Sequence, residues 1–260
     1  MLTTTATYRM LTADIGKSLA RTAAAPSVAR QSAEYLEKIV EVKSIDEFFK
    51  DDRIYSYAMK AFGLEDMTYA KAFMRKVLTE GIDDKKSFAN KLADTRYREF
   101  VEAFNFVRYG PATTDFERTQ KGTVDKFVRQ TLEQQAGQQN EGVRLALYFE
   151  RKAPTVKSAL NLLADPALLK VAQTALGLSP ATAAMPLDKQ VEMIGKRLDV
   201  ADLKDPEKLG KFLQRFTSLW ELQNAPATSA SPAMLFNQPR EAGIRPDLLF
   251  TIQSLKIGGF

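Results

Sequence analysis

Apolar residues recur at spacings of three and four along most of this chain, and alternating runs are scarce. That periodicity predicts an all-α protein. Near the N-terminus Tyr8, Leu11, Ile15 and Leu19 form one amphipathic stripe. Ser44 and Glu47 have capping-box spacing and open a short helix carrying Ile45, Phe48 and Phe49. Asp51 is the expected N-cap of the next helix, with Ile54, Ala58, Ala61 and Phe62 on one face. Gly63 suits the left-handed stop position and Leu64 the apolar residue after it. A helix is expected after Asp66, with Tyr69, Phe73, Met74 and Val77 inward and Gly81 at its end. Asp84 is placed to cap a short helix bearing Phe88 and Leu92. Asp94 is placed to cap another, with Tyr97, Phe100, Val101 and Phe104 on its inner face. Residues 107–122 read as a connector. From Thr123 a long helical stretch runs on, continuing or restarting around AGQQNEG until Pro154 stops it.

The punctuation then repeats. VKSIDEFFKDDRIYSYAMKAFGL (42–64) and VKSALNLLADPALLKVAQTALGL (156–178) align at an offset of 114 residues. Val42, Lys43, Ser44, Asp51, Ala58, Ala61, Gly63 and Leu64 meet identical residues, and Phe48 and Phe49 meet Leu162 and Leu163. Asp165-Pro166 sharpens the second cap by placing Pro at the first helical position. The expected architecture is two duplicated multi-helix units joined by a long helix, with an amphipathic helix at each terminus. The boundaries are 1–110 for the first unit with the N-terminal helix, and 111–224 for the connector, long helix and second unit. Residues 225–260 form a Pro/Ala/Ser-rich linker followed by a helix bearing Leu248, Ile252 and Leu255.

Two absences narrow the chemistry. The chain has no cysteine and no histidine, which removes disulfides, Cys/His zinc sites and every nucleophile–histidine triad. No phosphate loop, dinucleotide glycine fingerprint, nucleophile elbow or EF-hand loop is present. The acidic pairs Asp51/Asp52 and Asp83/Asp84 fall at helix starts and read as caps. No catalytic residue, cofactor or metal is therefore expected. The net charge of +5 comes from 37 basic and 32 acidic residues interleaved in sign, the pattern of solvated helix faces. Nucleic acid is accordingly an unfavoured partner. Arg96, Tyr97 and Arg98 form a weak basic–aromatic candidate, which reads equally as a core tyrosine between paired arginines. Lys43 and Lys157 read as solvated lysines or as two copies of an anion contact, and Trp220 as core. The terminal stripes, Tyr8, Leu11, Ile15 and Leu19 with Leu248, Ile252 and Leu255, are the candidate partner contacts, because an apolar stripe needs a cover. Residues 1–26 lack a continuous apolar run, so no secretory signal is expected, and no apolar run is long enough to span a membrane.

The strings SYAMKAFGLEDMTYAKAFMRKVLTEG (56–81), ADTRYREFVEAFNF (93–106) and NEGVRLALYFERKAP (140–154) resemble an uncharacterised all-helical family of alphaproteobacterial, largely rhizobial, proteins. The resemblance runs over residues 5–225 and takes in the terminal LLFTIQSLKIGG. It implies no catalytic residues. It does imply a flagellar setting, since genes of the family often lie within or beside flagellar clusters. Lack of cysteine and of a cleaved signal, with a helix at each end, is similar to exported axial components of flagella. The expected function is thus non-enzymatic and flagellum-associated, acting through protein–protein contacts with a flagellar component or by self-association. The expected location is the cytoplasm, or outside it by a flagellar-type route. The alternatives are a nucleic-acid-binding regulator using Arg96, Arg98, Arg108 and the basic N-terminal region, or an enzyme using only Asp, Glu and Lys.

Overall fold

The computed structural model describes residues 3–224, and among these there is no strand. The helices are α1 (Thr4–Thr12), α2 (Ile15–Ala23), α3 (Pro26–Ile39), α4 (Ile45–Lys50), α5 (Asp52–Ala61), α6 (Lys71–Glu80), α7 (Phe88–Lys91) and α8 (Thr95–Ala103). They continue as α9 (Phe106–Tyr109), α10 (Lys121–Gln139), α11 (Glu141–Lys152), α12 (Ala159–Ala164), α13 (Pro166–Leu176), α14 (Leu187–Gly195) and α15 (Pro206–Gln223). Short 3₁₀ turns lie between several of them.

Local chemistry sets the ends of the two matched stretches in the same way. Asp51 accepts from the backbone N–H groups of Arg53 and Ile54, and Asp165 from those of Ala167 and Leu168. Each satisfies donors that a helix start leaves open. The Lys43 N–H donates to Glu47 at 2.6 Å, and the Lys157 N–H to Asn161 at 3.0 Å. Gly63 and Gly177 have φ of 70° and 64°, where a Cβ would be strained. The next N–H, of Leu64 or Leu178, reaches back to Met59 O or Gln173 O at 2.8 Å.

Two apolar cores form. The first is aromatic and gathers side chains of α3–α9 with Phe127 and Val128 of α10. At its centre Phe48, fully buried, meets the rings of Phe49, Tyr55, Phe100, Phe104 and Phe106 at 5.0–6.1 Å. The second is mainly aliphatic and spans α11–α15, with Ala136 of α10 and Tyr8 of α1. Leu162, at the place matching Phe48, is fully buried there. The long helix α10 therefore contributes to both cores, and it packs on α5, α11 and α2.

The N-terminal stripe differs from its expectation. It is two helices, because Asp14 caps a new start by accepting from Lys17 N at 2.8 Å, while the Ser18 hydroxyl donates to Leu11 O at 2.9 Å. α1 packs on α11 and α15 of the second core as well as on α2, the next helix in sequence. There the Thr5 hydroxyl donates to Thr217 and the Asn140 amide to Thr4. Tyr69 is 82% exposed, not inward, since it lies in the turn before α6. The expected connector is instead a tightly bonded turn. Thr113, Thr114 and Thr119 are buried there, with their hydroxyls donating to Gly110 O, Val42 O and Phe116 O. The Tyr35 hydroxyl reaches Thr119 O at 2.6 Å.

Candidate functional site

A cleft of about 1180 Å³ among the described residues is flanked by helices of both cores. The end of α5 brings Phe62 and Gly63, the start of α8 brings Asp94, Arg96, Arg98 and Glu99, and α10 brings Lys126, Gln130 and Gln134. From the other side α11 supplies Arg144, Tyr148, Arg151 and Lys152, and the segment from Val156 to Leu168 completes the wall.

Most of its charges hold the walls together. Arg96 grips Asp94 through Nε and Nη2 at 2.7–3.1 Å, and its Nη1 donates to the Gly63 carbonyl at the C-terminal end of α5. That carbonyl lies at the electronegative pole of a helix. Burial pushes the Asp94 carboxyl up, yet the Arg96 hydrogen bonds and charge outweigh it and leave it below its ordinary range. Lys152, only 7% exposed, donates to Glu99 at 2.7 Å and so ties α11 to α8. Arg151 embraces Glu133 of α10 through Nε (2.7 Å) and Nη2 (2.8 Å), and Arg129 approaches the same carboxylate at 3.1 Å. The Tyr148 hydroxyl donates to Asp165 at 2.6 Å; burial first, and that carboxylate second, raise its pKa. Gln134 donates to Glu65 at 2.7 Å.

Three lining cations stand apart. Arg98, Lys126 and Lys157 are exposed and have no carboxylate partner among the described residues. Lys126 lies 5.4 Å over the Phe62 ring. The contrast with a shallower hollow of about 360 Å³ beside Lys43 is direct: there Lys43 is paired with Asp115 and Arg75 with Asp46. No group of three or more acidic side chains among the described residues is placed to hold a metal ion.

Of the basic–aromatic trio, Arg96 is a wall staple and Tyr97 is core, edge-on to Phe73 at 5.2 Å. Arg98 alone of the three presents a free charge to the cleft. Arg108 is paired with Asp83. Tyr8 is buried in the second core, Leu11 and Ile15 pack against it, and Leu19 packs against the first. Its stripe is thus buried at Tyr8 and half-buried at Leu11, Ile15 and Leu19 against the protein's own body. Leu248, Ile252 and Leu255 lie outside the described residues. Sequence reasoning missed Lys126, Arg144, Tyr148, Arg151 and Lys152. Only Arg144, Tyr148 and Arg151 share a local pattern, recurring at helical spacing along the polar side of α11, and that pattern does not by itself show that they line a cleft.

A family model described as a protein of unknown function (DUF1217) matches residues 61–209, a span that contains the whole cleft lining. The chain is similar to the crystal structure of protein AGR_C_984 from Agrobacterium tumefaciens. That likeness has 55% identity and a TM-score of 0.78, and it covers 84% of this chain and 93% of the other. No curated protein matches.

Proposed function

We propose that this chain, which belongs to the DUF1217 family of proteins of unknown function, is a non-enzymatic helical protein acting through protein–protein contacts in flagellar assembly or motility. The observation that carries the contact part is the cleft. Its inner charges are spent on ion pairs that fix its walls, and its outer cations are left for something else. A surface built this way is suited to recognition. The flagellar part comes from the family resemblance of the strings at 56–81, 93–106 and 140–154. Because the N-terminal stripe packs in large part on the protein's own body, the partner-facing elements of this reading are the cleft and residues 247–257. The protein acts in the cytoplasm or after export by a flagellar-type route.

A nucleic-acid role is the weaker reading, since Arg96 and Arg108 are both committed to carboxylates. The deciding experiment is deletion of the gene, with swimming scored in soft agar and filaments counted by electron microscopy. Loss of either supports the reading. Full swimming with a normal filament number overturns it.

A further inference from the structure

We propose that α3 is a self-association surface, on which a second copy of this chain docks its own α3 antiparallel across a two-fold axis. The proposal goes beyond the reading above and does not depend on the flagellar setting.

Helix α3 carries two apolar stripes and buries one of them. Val28, Tyr35 and Ile39 lie in the first core. Ala29, Ala33, Leu36 and Val40 recur at intervals of four, three and four along an adjoining face. All four are exposed, Leu36 and Val40 at 39% each. That spacing is the seam of a packed helix pair. Single exposed apolar residues are ordinary, but four in register form a face that lacks a cover.

Shape and charge together name the cover. Laid antiparallel about an axis between Ala33 and Leu36, the stripe meets itself, with Ala29 on Val40, Ala33 on Leu36, and the same pairs in reverse. Small faces large in each layer, the interdigitation that close packing needs. A parallel pair would set Leu36 on Leu36 and leave Ala29 against Ala29.

Arg30 and Glu37 each follow a seam residue by one place and flank the seam on its outer edge. Both are exposed, and neither has an ion-pair partner among the described residues. Antiparallel docking brings Arg30 of each copy beside Glu37 of the other, which makes two complementary pairs. Parallel docking would set like charges on each other. The other charges near the seam leave this balance in place. Glu34 is held by Arg53 and Lys38, and Lys38 also approaches Asp51. On the inner edge Ser32 is bonded to Tyr57 at 2.8 Å, and Asp125, which acts on that tyrosine, is paired with Lys121. Glu41 lies one turn past Glu37 and adds to the attraction for Arg30. The seam is short, so the dimer belongs to the small, weak class of interfaces.

The test is sedimentation velocity of the full chain from about 10 μM to about 1 mM, where a weak dimer should grow in with concentration. Leu36→Glu should leave only monomer, whereas Leu160→Glu, at another exposed leucine on α12, should dimerise like the native chain. Arg30→Glu and Glu37→Arg should each weaken the dimer about fivefold or more, because each sets like charges across the axis. The double variant Arg30→Glu/Glu37→Arg should restore it, and a mixture of the two single variants should form a mixed dimer. The chain has no cysteine, so an introduced one reports the axis. Under mild oxidant Ala33→Cys, beside the axis, should crosslink to its own copy. Ala29→Cys, about 16 Å from its counterpart along the helices, should not. All these positions are exposed, and circular dichroism verifies that each variant folds. A monomer at every concentration, a dimer indifferent to Leu36→Glu, or a double variant no better than the single ones overturns the proposal. So does crosslinking of Ala29→Cys in preference to Ala33→Cys. Motility of the deletion strain bears on none of these results, so the two readings fail separately.

Discussion

Glu133 is the side chain on which the junction of α10 and α11 most depends. It is 2% exposed, and its carboxylate is shared by Arg129 and Arg151, themselves 14% and 32% exposed. Replacing it by alanine leaves two guanidinium groups without their anion in a largely dry site. Breaking a buried pair by removing one partner costs about 3–5 kcal/mol, because the surviving charge stays buried. Arg151 lines the cleft and can turn toward water, and Arg129 keeps its bond to Leu147 O at 3.0 Å. Both reliefs place Glu133→Ala at the lower end, about 3 kcal/mol. For a domain of this size that corresponds to a fall in Tm of about 6–12 °C.

Glu133→Gln separates charge from shape. It keeps the packing and an acceptor for one guanidinium, so its loss should be roughly half that of alanine. Urea unfolding followed by far-ultraviolet circular dichroism at neutral pH gives both values, with the slope checked for unchanged two-state behaviour. Finding both variants within about 1 kcal/mol of the native chain would refute the reasoning, since that is the range of exposed pairs.

Three further outcomes follow from the packing. Gly142→Ala in the first turn of α11 should destabilise by about 1–2 kcal/mol despite a helix-propensity gain of up to about 1 kcal/mol. A Cβ there would lie 2.8 Å from Trp220 Cγ and nearer still to other atoms of the ring. Adding Trp220→Ala should relieve most of the loss in a double-mutant cycle. Phe48→Ala removes the hub of five ring contacts and should cost about 3–5 kcal/mol by the same unfolding assay. Glu150 bears on pH. Burial raises its pKa above the ordinary 4.5, against the lowering pull of Arg129, and its Oε2 is buried without a hydrogen bond. The folded state therefore holds the extra proton, and this group's contribution to stability falls as pH rises through the window above 4.5. Glu150→Gln should be most stabilised relative to the native chain at neutral pH, and that advantage should vanish below pH 4.5; an advantage that grows on acidification contradicts the assignment.

What the sequence made legible was local. The caps at Ser44, Asp51, Asp94 and Asp165 join a side chain to an N–H two or three residues on, and the glycine stops depend on one φ angle. Spacing patterns carry that information directly. The break between α1 and α2 left no trace in spacing, because Leu11 and Ile15 stay four residues apart across it. Helix α3 was missed for a related reason. Its start has no side-chain cap, only Pro26 in the first turn, so no polar signal marks it. The cleft was illegible because its parts meet only in the fold. Arg96 finds Asp94 two residues away, but its other partner, the Gly63 carbonyl, is 33 residues distant.

The two lysines of the repeated VKS strings show where function parts from grammar. Lys43 and Lys157 share their neighbours in sequence, and both precede a serine that starts a short helix. Local chemistry alone would give them one fate. The turn at residues 110–115 places Asp115 2.9 Å from the Lys43 ammonium, and the first lysine becomes half of an ion pair. No described carboxylate occupies the corresponding place beside Lys157, and its charge faces the cleft. An exposed pair such as Lys43–Asp115 contributes at most about 1 kcal/mol, so either arrangement leaves the stability of its helix nearly unchanged. The difference therefore lies in the field each lysine presents to its surroundings. The informative positions in the repeated stretches are those whose long-range partners differ, and Lys157 is the one whose missing partner leaves a positive charge available for recognition.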